Sequence, residues 1–398
     1  MANSSKFRGD QVGSLLRPQR LLEARRRLEA GMIDQQELRE VEDQEIAEAV
    51  RRQKAAGIDI ITDGEFRRRD FRSVFADAVD GVEMRAVEMP WHGPTGTVAV
   101  AVKQYVVTGR LKAQRRMTEG DVGFLRTLTK APLKVTLPAP GFIVDRFWLD
   151  GVSGEFYDSR DELAAEAAAL IRAEVEALFA EGVQYVQLDN PGYAAFLAGG
   201  EGSGGASRAG GTAAAGVLPT RAGAVAGSGA DGRFERERAF QRMLDSDRAA
   251  TEGIERPHRG CSIGMHICRG NHAGMWLGEG DYEPIAERIF NELPVDRFLL
   301  EYDSDRAGGF EPLRFLPKGK MAVLGLISSK TAQLETITEL QQRIDEAARY
   351  VDSDYLALSP QCGFASVAEG GNQLSEAEQY AKLQLTADAA LATWGIEL

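Results

Sequence analysis

The stretch Gly264–His272, GMHICRGNH, sets His266 and Cys268 two positions apart in a chain with only three cysteines and four histidines. In an extended strand the side chains at i and i+2 share a face, so an imidazole and a thiol point together while Ile267 faces the other way. A strand offers two zinc ligands in this manner. The same pair also fits a buried cysteine beside a satisfied core histidine. Two further groups stand where strands are expected to end. Glu301 closes FLLE, where a carboxylate after three large apolar residues needs a partner or a metal. Cys362 lies in SPQCGF, a turn sequence in which a thiol has little packing purpose. His266, Cys268, Glu301 and Cys362 together make a tetrahedral zinc shell of one nitrogen, two sulfurs and one oxygen. Two thiolates and one carboxylate leave such a centre with a formal charge of about −1, unsuited to activating water. A thiol bound there is ionised yet electron-rich, which suits alkyl or methyl transfer to sulfur.

Other strand ends carry groups that match an amino acid. Glu65 in TDGE and Asp189 in QLDNP suit an ammonium, and Gly13-Ser14 offers a backbone N–H and a hydroxyl to a carboxylate. Each has a plainer reading. Glu65 could sit in the acidic first turn of a helix, Asp189 could cap a turn, and Ser14 could be a turn residue. Arg269, Asn271 and His272 either touch substrate or cap the next helix, and Cys261 at the far end of the strand is expected to pack.

The elements that must position these residues are short β-rich runs alternating with helical patterns, the signature of βα units. The runs end at Ser14, Glu65, Pro138, Asp189, Cys268, Asp303, Ser328 and Cys362. Helical patterns such as RDELAAEAAALIRAEVEALFAEG and TAQLETITELQQRIDEAARYV lie between them, the second expected to open after a serine pair with Glu335 early. This count predicts a (β/α)8 TIM barrel over a single 1–398 domain, with a doubly wound open sheet as the alternative. In a barrel every candidate falls at the C-terminal strand ends, where active sites form. Residues 81–116 alternate like a β-hairpin excursion. Residues 199–232, nearly all Gly, Ala and Ser, read as a flexible loop insertion over the barrel mouth, either a lid or a disordered insert.

Composition narrows the partners. A net charge of −13 argues against nucleic acid. FRRRDFR reads as a solvated helix start or a small-anion contact. No apolar run approaches the roughly 18 residues that span a bilayer, and the N-terminus lacks a signal-peptide core, so a cytoplasmic protein with reduced cysteines is expected.

Taken in order, H-x-C at His266 and Cys268, Glu301, and Cys362 resemble the zinc set of the cobalamin-independent methionine synthase family, and Gly13-Ser14, Gly64-Glu65 and Asp189 resemble its homocysteine contacts. The resemblance runs from about Gly9 to Trp394, excluding the 199–232 insertion, and HICRGN with LSPQCGFAS is most similar to the short single-barrel members. It implies a zinc (β/α)8 enzyme that methylates homocysteine to methionine. The chain departs from the family pattern in four places, one being that the tryptophan-containing stretch at the folate face is not evident in KVTLPAPGFIVDRFW. An additional N-terminal barrel that helps hold polyglutamylated folate has no room here, so the donor could be methyltetrahydrofolate, a methylcorrinoid or another compound. QLDNPGY replaces the usual Asp-Glu-Pro. Ser328, Ser329 and Lys330 occupy the place of the expected proton-donor histidine. The same barrel and zinc set occur in epoxyalkane:coenzyme M transferases, where a sulfonate would call on Arg17, Arg67 or Arg269. Two further readings are a non-catalytic zinc protein and a partner of a corrinoid protein.

Overall fold

The computed structural model describes residues 7–93, 96–197, 218–219, 230–257, 260–270, 276, 278–365 and 374–395. Its strands in chain order are β1 Val79–Gly93, β2 Gly96–Ala113, β3 Lys134–Pro138, β4 Tyr185–Asp189, β5 Leu218–Pro219, β6 Ser262–Ile267, β7 Arg297–Glu301, β8 Met321–Ile327 and β9 Leu356–Pro360. β3, β4, β6, β7, β8 and β9 pair in that order, all in parallel. Two short extended stretches close the ring. Gly9 bridges Leu358 of β9, Ile61 bridges Leu133 beside β3, and the Asp59 N–H donates to the Gly9 carbonyl at 3.4 Å. The expected (β/α)8 barrel is therefore present, although the first two runs contribute single bridges. Their chain turns early: Gly13 (φ 138°), Gly64 (φ 69°) and Glu65 (φ 60°) all leave the extended region at the barrel mouth.

β1 and β2 form the antiparallel excursion before β3, from Val79↔Ala113 to Gly93↔Gly96, and β5 lies parallel to β1. Apart from Leu218–Pro219 and the start of the helix Ala230–Thr251, the 199–232 insertion lies outside the described residues.

Residue alternation sorts the walls from the interior. Val186 and Leu188 of β4, Ile263, Met265 and Ile267 of β6, and Phe298 and Leu300 of β7 join the large apolar layer against the helices. Tyr185, Leu299, Val323 and Ala357 form a smaller cluster with Phe7, Val12, Ile60 and Met321. On β6 the same period leaves His266 on the face opposite Ile267.

Below the site the interior carries charge. Lys134 Nζ lies 2.7 Å from Asp10 Oδ1 and 4.1 Å from the Tyr185 ring centroid, and the Arg297 guanidinium lies over Phe7 and Tyr185.

The helices follow local rules. Arg160–Ala180 starts at Ser159, whose hydroxyl accepts the Glu162 N–H. The helix Ile337–Ala347 begins later than the serine pair suggests, because Thr336 and Glu339 form a capping box there. Glu335 instead accepts the Ser328 N–H at 2.8 Å and pairs with Lys382. FRRRDFR does lead into a short helix, Ser73–Ala76, but most of its arginines are paired rather than solvated. Arg67 meets Asp43 and Asp121, Arg68 donates to Thr136 Oγ1 at 2.8 Å, and Arg72 meets Asp70. Its positive charge is spent on local acids.

Candidate functional site

Cys268 directly follows β6 and Cys362 lies two residues beyond β9. The donor atoms of His266, Cys268 and Cys362 all lie within 4.8 Å of one another, and all three residues are buried. Neither ring nitrogen of His266 has a hydrogen-bond partner, although both are buried. A buried imidazole without partners is costly, and a cation between it and two sulfurs removes that cost, so the residues fit a zinc ion. The electrostatics agree. A hydrogen bond from Cys362 holds the Cys268 thiol well below the ordinary value, against the opposing effect of burial and with help from His266. Cys362, as the donor and also buried, is pushed well above it. Burial works against a charged His266, but Cys268 and Asp189 outweigh it and raise its pKa.

Glu301 ends β7 beside this cluster without belonging to it. Its Oε2 accepts the Arg269 N–H at 2.8 Å, and its Oε1 lies 3.1 Å from Lys330 Nζ and 3.8 Å from Arg306. Burial raises its pKa, yet Lys330 and Arg269 prevail and hold it below the usual carboxylate range. Lys330 also reaches Asp303 at 3.7 Å, and Asp303 accepts the Ser328 hydroxyl at 2.8 Å. Tyr282 fixes the two strand ends: its hydroxyl donates to the Ile267 carbonyl at 2.9 Å and accepts the Glu301 N–H at 2.9 Å. Sequence reasoning missed Tyr282, since nothing local marks a tyrosine as a brace. It placed Lys330 in the region but not on Glu301.

The amino-acid contacts gather on the other side. Glu65 Oε1 accepts the Thr136 hydroxyl at 2.7 Å, while Oε2 is buried without a hydrogen bond and 3.9 Å from Arg17. Glu65 holds a left-handed φ of 60°, a strained conformation that concentrates at functional sites. Gly13 permits the approach of Thr136, whose Cγ2 would stand 2.7 Å from a Cβ at that position. Ser14 is tied to the Cys362 turn by the Phe364 N–H donating to its carbonyl at 2.9 Å. Asp189 pairs in register with His266 and accepts Gln187 Nε2 at 2.7 Å. Burial lifts Asp189 to about 7, with Glu65 adding and His266 opposing. Asn190, not Asp189, caps the turn that follows, accepting the Gly192 N–H.

The arginines considered for a sulfonate are engaged elsewhere. Arg17 donates to the carbonyls of Leu15, Ala365 and Glu65, and Arg269 donates to those of Gly280 and Glu301. Cys261 is buried with its sulfur 3.7 Å from the Val183 carbonyl, as packing requires. Asn271 and His272 lie outside the described residues.

A closed parallel barrel with a thiol and imidazole cluster at its C-terminal mouth defines a class of α/β-barrel enzyme. The family model described as "Cobalamin-independent synthase, Catalytic domain" matches residues 8–209. The uncharacterized protein YxjH of Bacillus subtilis is 37% identical over 98% of this chain and 95% of its own length. The chain belongs to the cobalamin-independent methionine synthase family. A methionine synthase of Pyrococcus abyssi is 23% identical over 88% of this chain and 84% of its own. A solved structure of a putative vitamin-B12 independent methionine synthase from Listeria monocytogenes covers 100% of both chains at 26% identity and a TM-score of 0.70. A B12-independent methionine synthase from Shewanella sp. W3-18-1, solved with selenomethionine, shares the fold at a TM-score of 0.71, 22% identity and 97% coverage of each chain.

Proposed function

We propose that the chain is a zinc-dependent methyltransferase that methylates the sulfur of homocysteine to give methionine. Membership of the family supports methyl transfer to homocysteine. The observation that carries the metal is the buried cluster of His266, Cys268 and Cys362 within 4.8 Å, with Glu301 adjacent. Zinc held by those residues would keep a substrate thiol ionised at neutral pH while leaving it nucleophilic toward a methyl donor.

The protein's own groups do the rest. Glu65 Oε2, which lacks a hydrogen bond, and the Asp189 carboxylate suit the ammonium of an amino acid, and the Gly13-Ser14 turn suits its carboxylate. Burial of the whole set excludes water and strengthens these charge contacts. Commitment of Arg17 and Arg269 to backbone carbonyls favours an amino acid over a sulfonate such as coenzyme M. No helix among the described residues is long and apolar enough to cross a membrane. Partners are accordingly read as small molecules: a thiol and a methyl donor, either free or carried on a corrinoid protein.

The test is product formation by zinc-loaded protein given homocysteine or coenzyme M with methyltetrahydrofolate, a methylcorrinoid or a simple alkyl donor. Methionine formed with at least one donor, lost in Cys268→Ser, is expected. Alkylation of coenzyme M alone would contradict the amino-acid assignment.

A further inference from the structure

We propose that Arg17, buried among three loops of the barrel mouth, is the positioning residue through which the site selects a thiol carrying an amino group, because it holds Glu65 in place for the ammonium. Arg17 touches no substrate in this role, which rests on the reading of Glu65 as an ammonium contact.

The guanidinium is fully enclosed, its side chain 0% exposed, and it donates to main-chain oxygens. Nη1 donates to the Leu15 carbonyl at 2.9 Å and to the Ala365 carbonyl at 3.0 Å. Nη2 donates to the Glu65 carbonyl at 2.8 Å and to the Arg68 carbonyl at 3.4 Å. These carbonyls belong to the loop that carries Ser14, the loop that follows Cys362 and the turn that carries Glu65. The same loops bond one another, the Leu15 N–H donating to the Gly64 carbonyl at 3.0 Å and the Phe364 N–H to the Ser14 carbonyl at 2.9 Å. A planar fork of five N–H donors can serve several acceptors from one point, which an ammonium on a flexible stem cannot do in the same geometry.

Glu65 is the member of this set that needs holding. Its φ of 60° is one that a residue with a side chain avoids, and such a conformation persists only where the surroundings over-determine it. The Glu65 carbonyl accepts both Arg17 Nη2 and the Arg68 N–H at 3.0 Å, which fixes the turn. The turn in turn gives the two carboxylate oxygens different tasks. Oε1 accepts the Thr136 hydroxyl at 2.7 Å, whereas Oε2 is buried with no hydrogen-bond partner among the described residues. A buried oxygen of that kind is an acceptor that a substrate ammonium can fill. Arg17 at 3.9 Å and Arg68 at 3.8 Å supply the positive charge that makes a buried carboxylate tolerable before substrate arrives. Without the fork on its carbonyl, Glu65 is free to relax toward an ordinary φ, and its carboxylate is redirected. Lysine at position 17 would keep the charge and lose the fork.

Calorimetric binding of homocysteine and of 4-mercaptobutyrate, the same thiol acid without its amino group, to the zinc-loaded protein separates this role from a merely structural one. Wild type is compared with Arg17→Lys, Arg17→Met, Glu65→Gln and Arg17→Lys/Glu65→Gln. Wild type should bind homocysteine the more tightly. Both Arg17 variants should weaken homocysteine about tenfold, the scale of one lost hydrogen bond to a charged group, and leave 4-mercaptobutyrate within about twofold. Glu65→Gln should do the same, and the double variant should lose no more than Glu65→Gln alone. Equal weakening of the two thiols, loss of bound zinc, or an Arg17→Lys protein indistinguishable from wild type would overturn the proposal. If circular dichroism shows that Arg17→Met does not fold, Arg17→Lys carries the same comparison. A wild type with no preference for homocysteine would instead defeat the amino-acid reading itself.

Discussion

At the scale of single residues, the account depends on how each acid is held. Glu301 is ionised by Lys330 and Arg269 despite its burial, whereas Asp189 has only His266 and an amide against burial and rises to about 7. Asp189 therefore loses its charge as pH falls through about 7, and with it the attraction for a substrate ammonium. The KM for homocysteine should rise from pH 8 to pH 6 in wild type. In Asp189→Asn it should be high throughout, with a smaller change over that range. Stability moves the other way: the native state keeps a proton that the unfolded chain releases near 3.8, so native stability falls as pH rises from about 4 to about 7. Thermal melting of Asp189→Asn should show a shallower slope in that window, and an unchanged slope would mean that Asp189 is ionised throughout. Residue types and spacing made the placement of His266, Cys268 and Asp189 at strand ends legible, because period-two alternation and strand ends are local properties. The partners of Glu301 were not legible, since Lys330 reaches it from the segment after a different strand.

At the scale of elements, strand ends are aligned by side chains that span them. Tyr282, at the start of the helix Glu283–Glu292, bonds both the β6 end and the β7 end. Tyr282→Phe leaves a buried carbonyl and a buried N–H without that partner, at a cost of about 1–3 kcal/mol. Urea unfolding should show this loss, together with faster zinc release because Cys268 and Glu301 shift relative to each other. Stability equal to wild type would remove Tyr282 from the account. The expected strand order and parallel sense follow from the βα alternation, and the barrel confirms them. What could not be read was that the first two runs would contribute only bridges, because Gly13 and the Gly64-Glu65 pair turn the backbone where a strand would continue. The start of the helix Ile337–Ala347 was misplaced for a related reason: a capping box at Thr336 and Glu339 outcompetes an acidic residue that a distant lysine claims.

At the scale of the whole molecule, the barrel keeps most of its apolar mass between strands and helices and sets buried charges beside a smaller apolar cluster in its interior. The Lys134 and Asp10 pair is wholly buried and lies against Tyr185. Removing one partner strands the other, so Lys134→Met should cost about 3–5 kcal/mol in denaturant unfolding, while Asp10→Asn/Lys134→Met should recover much of it. A single variant as stable as wild type would show that the pair is dispensable. Length and alternation made the closed barrel and its hairpin excursion legible; an interior ion pair gave no signal, since a lysine opening a strand usually faces solvent. The central claim is that this mouth holds zinc for a thiol. Metal content with zinc-edge X-ray absorption, on wild type and Cys362→Ser with and without homocysteine, tests it most directly. The account predicts about one zinc per chain with two sulfur neighbours from Cys268 and Cys362, a third on adding homocysteine, and one fewer in the variant. Absence of zinc, or a sulfur count indifferent to both the thiol and Cys362→Ser, would contradict it.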